Sequence, residues 1–112
     1  MKIPIIIKSK SQDSVITNLF EGNSRKDIVK YRAKLKFKNS SIDLESNGYT
    51  INAEIILITP FGVASISDYL IKKLKKDSTV RIQIGTKWHS IINDEIKDTL
   101  HREYLKSHNL ST

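Results

Sequence analysis

The stretch Val29–Lys38 alternates between apolar and basic side chains without a break. Val29, Tyr31, Ala33, Leu35 and Phe37 take the odd positions; Lys30, Arg32, Lys34, Lys36 and Lys38 take the even ones. Successive side chains of an extended chain point to opposite faces. Read as one strand over Ile28–Lys38, the segment has a greasy face and a cationic face. It predicts a half-buried strand with Val29, Tyr31, Leu35 and Phe37 in the core. Such a strand needs other elements to cover its apolar side.

The rest of the chain supplies them. Lys2–Lys8 reads as a first strand, and Pro4, which cannot donate to a ladder, places it at a sheet edge or makes it a strand start. Ser9–Ser14 is polar and turn-like. Val15–Phe20 is a second strand with apolar groups on both faces, closed by the turn Gly22-Asn23-Ser24. Asn39-Ser40-Ser41 ends the basic strand, and Ile42–Glu45 forms a short return strand. Ser46-Asn47-Gly48 is a tight turn, since Asn-Gly tolerates positive φ. Tyr49–Ile58 follows, with Tyr49, Ile51, Ala53, Ile55 and Leu57 on one face, and with Ile56 and Ile58 burying its far end on both sides. Pro60-Phe61-Gly62 breaks this strand.

A helix comes next, capped by Ser65 with Asp68 completing a capping box. Ile66, Tyr69, Leu70 and Leu74 share one helical face. Lys72, Lys73, Lys75 and Lys76 crowd its last turn, where the helix dipole favours cations. Val80, Ile82 and Ile84 then alternate with Arg81 and Gln83. Gly85-Thr86 suits a hairpin turn with Gly in the first central place, and Lys87–Ile92 returns. Asn93-Asp94-Glu95 starts a last helix, whose apolar stripe Ile96, Leu100 and Tyr104 runs to about Lys106; His108–Thr112 frays. The order predicts an α+β fold, a mainly antiparallel, meander-like sheet with a central and a C-terminal helix. A small, partly open barrel is the alternative.

At 112 residues and 38% hydrophobic content, one domain is expected, residues 1–112. The absence of Cys excludes disulfides, zinc fingers, iron–sulfur centres and thiol chemistry. Ile3–Ile7 is too short for a membrane span or a signal-peptide core. A soluble, cytoplasmic protein that does not act at a membrane is therefore expected.

No catalytic constellation stands out, and neither enzymatic activity nor a metal or other cofactor is expected. His101 and His108 lie seven apart on the last helix, outside the i, i+4 spacing of a helical metal pair. Asp94, Glu95 and Asp98 cluster where acids serve a helix dipole. Gly is too sparse for a phosphate-cradling loop.

Charge is the informative property. The net charge is +7 and it comes in blocks. Residues 1–41 hold ten basic residues against three acids; residues 42–71 hold four acids and no Lys or Arg; residues 72–87 hold six basic residues against one acid. Basic surfaces draw polyanions. The expected function is a non-enzymatic binding module that contacts a DNA or RNA backbone through Lys30, Arg32, Lys34, Lys36 and Lys38. A second basic group comprises Lys72, Lys73, Lys76, Arg81 and Lys87. The two groups act together only if they share a face. Trp88 either fills the core or anchors a partner. Two bland readings compete: strand lysines blunt a sheet edge, or they pair across strands with Asp43, Glu45 and Glu54. The alternative function is a small protein-interaction or assembly component, of phage or mobile-element type, that docks on an acidic protein surface or self-associates through an edge strand at Ile3–Ile7.

Overall fold

The structure, a computed structural model, describes residues 2–10, 19–20, 27–30, 32–43, 48–57, 59, 61–75, 79–91 and 95–110. Its elements run β1 (Lys2–Ser9), β2 (Ile28–Lys30), β3 (Ala33–Asp43), β4 (Gly48–Leu57), α1 (Phe61–Leu74), β5 (Arg81–Ile84), β6 (Lys87–Ser90) and α2 (Glu95–Leu110). The six strands form one antiparallel sheet in the order β2-β3-β4-β1-β5-β6. The sheet does not close, so the fold is α+β and not a barrel.

The first strand lies inside the sheet and not at its edge. β1 pairs with β4 on one side and with β5 on the other. Ile3, Ile5 and Ile7 face Ile55, Ala53 and Ile51 of β4, while Ile5 and Ile7 also face Ile84 and Ile82 of β5. All of these side chains are buried. Pro4 is tolerated because the β5 ladder begins at Ile5, one residue further on, so no bond to β5 is lost there. The expected edge at Ile3–Ile7, and self-association through it, are thereby corrected. The free edges among the described strands are β2 and β6.

The basic stretch is also not one strand. β2 and β3 form a hairpin in which Lys30 pairs with Ala33, Val29 with Lys34 and Ile28 with Leu35. Tyr31, read as core, lies outside the described residues, and Arg32 turns the chain at φ 59°. A two-residue loop reverses the parity of the faces. Ile28 is therefore the buried residue of β2, and Val29, 69% exposed, shares the open face with Lys34. The left-handed region is costly for a side chain such as Arg, by about 1–2 kcal/mol. A close fit holds the turn: the first turn of α1 places Gly62 directly on the Arg32 carbonyl.

β3 then runs through the Asn39-Ser40-Ser41 segment instead of ending there. A register shift between Phe37 and Asn39 leaves Lys38 as the extra residue of a bulge. Of the polar residues beyond it, Asn39 and Ser41 face the uncovered side, while Ser40 stands opposite the buried Ile51. On the uncovered side the Asn52 Nδ2 donates to Asn39 Oδ1 at 2.8 Å, and Ser41 stands opposite Thr50. Ile42 belongs to this same strand; the turn after it lies outside the described residues. Ile56 near the end of β4 is only half-buried.

Both helices cover one face of the sheet. Val63, Ile66, Tyr69, Leu70 and Leu74 of α1, with Ile96 and Leu100 of α2, complete one core with the inner rows of the strands. α1 begins at Phe61, four residues before the expected cap, so Ser65 lies within the helix. The Gly62 amide donates to the Thr59 carbonyl as the chain enters it. The expected strand through Phe20 ends differently: Leu19 has helical backbone, Phe20 turns, and both are buried. The Tyr69 hydroxyl donates to the Leu19 carbonyl, and Phe20 meets Phe37 edge to face at 5.4 Å. The Gly85 turn is as expected, with Gly85 at φ 64° and Ile84 paired with Lys87. α2 continues to Leu110, beyond the expected end near Lys106.

A Cβ at Gly62 would sit 2.2 Å from the Arg32 oxygen and 3.1 Å from the Ala33 Cβ. Ala in place of a helical Gly gains about 1 kcal/mol, whereas overpacking costs about 1–3 kcal/mol. The obstacle here is backbone, so the clash should win. We expect Gly62→Ala to lower the melting temperature; a rise would show that the Arg32 turn is not packed against α1.

Candidate functional site

With both helices on one side, the opposite face of the sheet is the broad described surface left open. Strand register sorts its residues into rows across the sheet. The first row runs Val29, Lys34, Ile56, Lys2; the second, Lys36, Glu54, Pro4. The third runs Asn39, Asn52, Ile6, Gln83, Trp88, and the fourth Ser41, Thr50, Lys8, Arg81, Ser90. The face therefore has two cationic ends and an amide-rich middle that finishes on the only Trp of the chain.

Among the described residues its charges are unbalanced. Lys34 stands 3.9 Å from Asp27, and Lys38 reaches Glu54 at 3.7 Å. Pairing with the chain's own acids thus takes up part of the strand, as the bland reading anticipates for Glu54. An exposed ion pair such as Lys34–Asp27 contributes only about 0–1 kcal/mol, so it yields readily to a competing anion, whereas the Glu54 carboxylate is largely buried. Lys8 and Arg81 are direct cross-strand partners, both exposed. Like charges placed opposite each other destabilise a sheet. Lys8 gains partial relief by standing over the Trp88 ring, 5.3 Å from its centre.

The basic residues expected to act together are thus dispersed. Lys34, Lys36 and Arg81 share the open face, joined by Lys2 and Lys8. Lys38 sits on the bulge and Arg32 in the hairpin turn, so five cations in one row do not form. Position 30 pairs with Ala33 on the shorter strand, in register with the covered rows. Lys72 and Lys73 belong to the helical layer, where the Lys73 ammonium rests 5.8 Å from the Tyr69 ring. Lys87, in register with Ile84, leaves the open face as well. Lys76 lies outside the described residues. The two basic groups merge only through Arg81. Trp88 is 41% exposed, so the core is not its place.

A second site lies at the β6 edge, between it and α2. A cleft of about 350 Å³ is lined by Lys87, Trp88, His89, Asp98 and Arg102, with Glu95 and Thr99 behind. His89 is 7% exposed. Its Nδ1 lies 3.2 Å from Glu95 Oε2 and its Nε2 3.2 Å from Thr99 Oγ1. A carboxylate only accepts, so Nδ1 carries the proton toward Glu95, and in the neutral ring the Thr99 hydroxyl donates to Nε2. The arrangement clips β6 onto the first turns of α2. Glu95 thus bonds a buried imidazole in addition to any service to the helix dipole. The chain carries only a faint signal of this, since Glu95 and Thr99 stand at i, i+4 and share a helical face.

Compared with known proteins, the chain matches no family model, no curated protein and no solved structure. No helix among the described residues is long and apolar enough to cross a membrane.

Replacing His89 by Phe keeps an aromatic ring in the clip but leaves the buried Thr99 hydroxyl without its partner. An unsatisfied buried polar group costs about 1–3 kcal/mol. We expect His89→Phe to shift the urea midpoint down by an amount in that range. An unchanged midpoint would show that the imidazole does not tie β6 to α2.

Proposed function

We propose that the protein is a non-enzymatic module that binds a single-stranded nucleic-acid backbone on the open face of its sheet. The observation that carries this reading is the set of cations that register brings to that face: Lys34 and Lys36 on β3, Lys2 and Lys8 on β1, Arg81 on β5. Lys34 and Lys36 hold alternate positions of one strand, which recur at about 6.6 Å, twice the strand rise, a pitch that suits successive backbone phosphates. The described acids near these cations, Asp27 and Glu54, are outnumbered. Open sheet faces bind single strands by combining cations with aromatic stacking platforms. Trp88, at the end of the amide row, is the one described aromatic that fits this role. One platform and few base-reading groups imply low sequence specificity.

The alternative reading, docking on a protein partner, no longer has β1 as its edge. What favours it is Val29, 69% exposed on the free strand β2. Concentration-dependent light scattering, abolished by Val29→Lys, would support self-association through that edge. A clean monomer at all concentrations would remove it.

The main proposal is tested by the anisotropy of a labelled oligothymidylate at increasing KCl. For single strands, each neutralised phosphate adds about −0.7 to the slope of log K against log salt. Reversing Lys34 and Lys36 to Glu should flatten that slope by about 1.4 and weaken binding. An absence of salt-dependent binding at low ionic strength would end the proposal.

A further inference from the structure

A second feature of the open face lies at one end of it, where β1, β4 and β5 meet. A pocket of about 130 Å³ there is lined by Lys8, Lys10, Tyr49, Thr50, Thr79 and Arg81. Three of these side chains are cations, three carry hydroxyls, and no carboxylate lines the pocket among the described residues. Elsewhere on the face, Lys34 and Lys38 have acids beside them. Here the register sets Lys8 directly opposite both Arg81 and Thr50. The Lys10 amide is tied to Thr79 Oγ1 at 3.5 Å, which holds the end of β1 against the approach to β5. Strand pairing thus sets the places of Lys8, Thr50 and Arg81, and no described acid offsets their charge.

We propose that this pocket binds a phosphate group. Phosphate carries several strong acceptor oxygens, and Arg and Lys are its usual partners, Arg as a planar fork and Lys as a point charge. Thr50, in the same row as Lys8 and Arg81, and Thr79 supply hydroxyls as neutral donors beside them. A bound dianion turns the Lys8–Arg81 juxtaposition from a repulsive pair into a shared clamp. The group comes either from free phosphate or from a nucleic-acid strand lying on the open face. The second source rests on the function proposed above; the pocket itself does not.

Trp88 reports on the pocket. It is the only Trp of the chain, and the Lys8 ammonium stands over its ring. A phosphate that engages Lys8 alters the cation above the indole, and so its emission. The experiment titrates the full chain at low ionic strength with inorganic phosphate, with chloride at matched ionic strength as control, and separately with an oligothymidylate. Phosphate should change Trp88 emission saturably and chloride should not. Arg81→Gln, and independently Lys10→Gln, should weaken the phosphate response by about tenfold, the loss of one charge-assisted contact. Lys72→Gln, on the helical layer, should leave it unchanged.

A response no greater than that to chloride, or one untouched by Arg81→Gln and Lys10→Gln in variants with wild-type circular dichroism, would overturn the pocket. It would do so even if the oligonucleotide binds elsewhere on the face. If the oligonucleotide gives the same emission change and loses it in Arg81→Gln, the strand is the source of the phosphate. If inorganic phosphate responds as stated and the oligonucleotide does not bind, the pocket holds as a free-phosphate site and the nucleic-acid reading falls.

Discussion

The structure depends on the pairing of β1 with two strands at once. β2, β3 and β4 form a meander, and β5 and β6 form a hairpin; neither unit touches the other in the sheet except through β1. The alternation of Ile3, Ile5 and Ile7 makes that junction possible, because it sets an apolar row between the inner rows of β4 and β5. A strand slipped by one residue would turn this row to the open side and bury Lys2, Pro4 and Lys8. The cost of burying two cations fixes the register. The same register places Lys8 opposite Arg81, so the core and the charged face are two consequences of one alignment.

The covered side was largely legible in the sequence. Tyr49 to Leu57, Ile66 to Leu74, and Ile96, Leu100 and Tyr104 show their periods plainly, and the Gly85 turn carries its own signal. The basic stretch misled for a physical reason. A two-residue hairpin loop inverts the parity of the faces, so an alternation read straight through it assigns Val29 to the core and position 30 to the cationic side. Nothing at Tyr31-Arg32 announces a turn: neither Gly, Asn nor Asp is there, and Arg32 takes a positive φ that its side chain disfavours. The compensation lies in Gly62, thirty residues away, whose missing Cβ makes room for the turn. β1 misled differently. Pro4 argues for an edge only where its missing N–H would face a partner, and the β5 ladder starts one residue too late for that to matter.

The candidate site was half legible. Lys34, Lys36 and Arg81 were among the expected residues and share the open face. Lys2 and Lys8 were not, because a strand read as an edge offers no reason to align its lysines with those of β3 and β5. Trp88 was ambiguous in the sequence, and register resolves it: opposite Gln83, it belongs to the open row. The His89–Glu95–Thr99 clip joins residues of a strand and a helix, a meeting that periodicity within either element does not contain.

The proposed function requires that the open side of the sheet meet a polyanion. The most direct measurement is an amide-shift map of the full chain titrated with an oligothymidylate at low salt. Binding on the open face predicts that the changes gather on Lys34 and Lys36 of β3, Lys8 of β1, Arg81 and Gln83 of β5, and the Trp88 indole, while Lys72 and Lys73 on α1 stay still. Changes confined to the helical layer, or none at all, would contradict it.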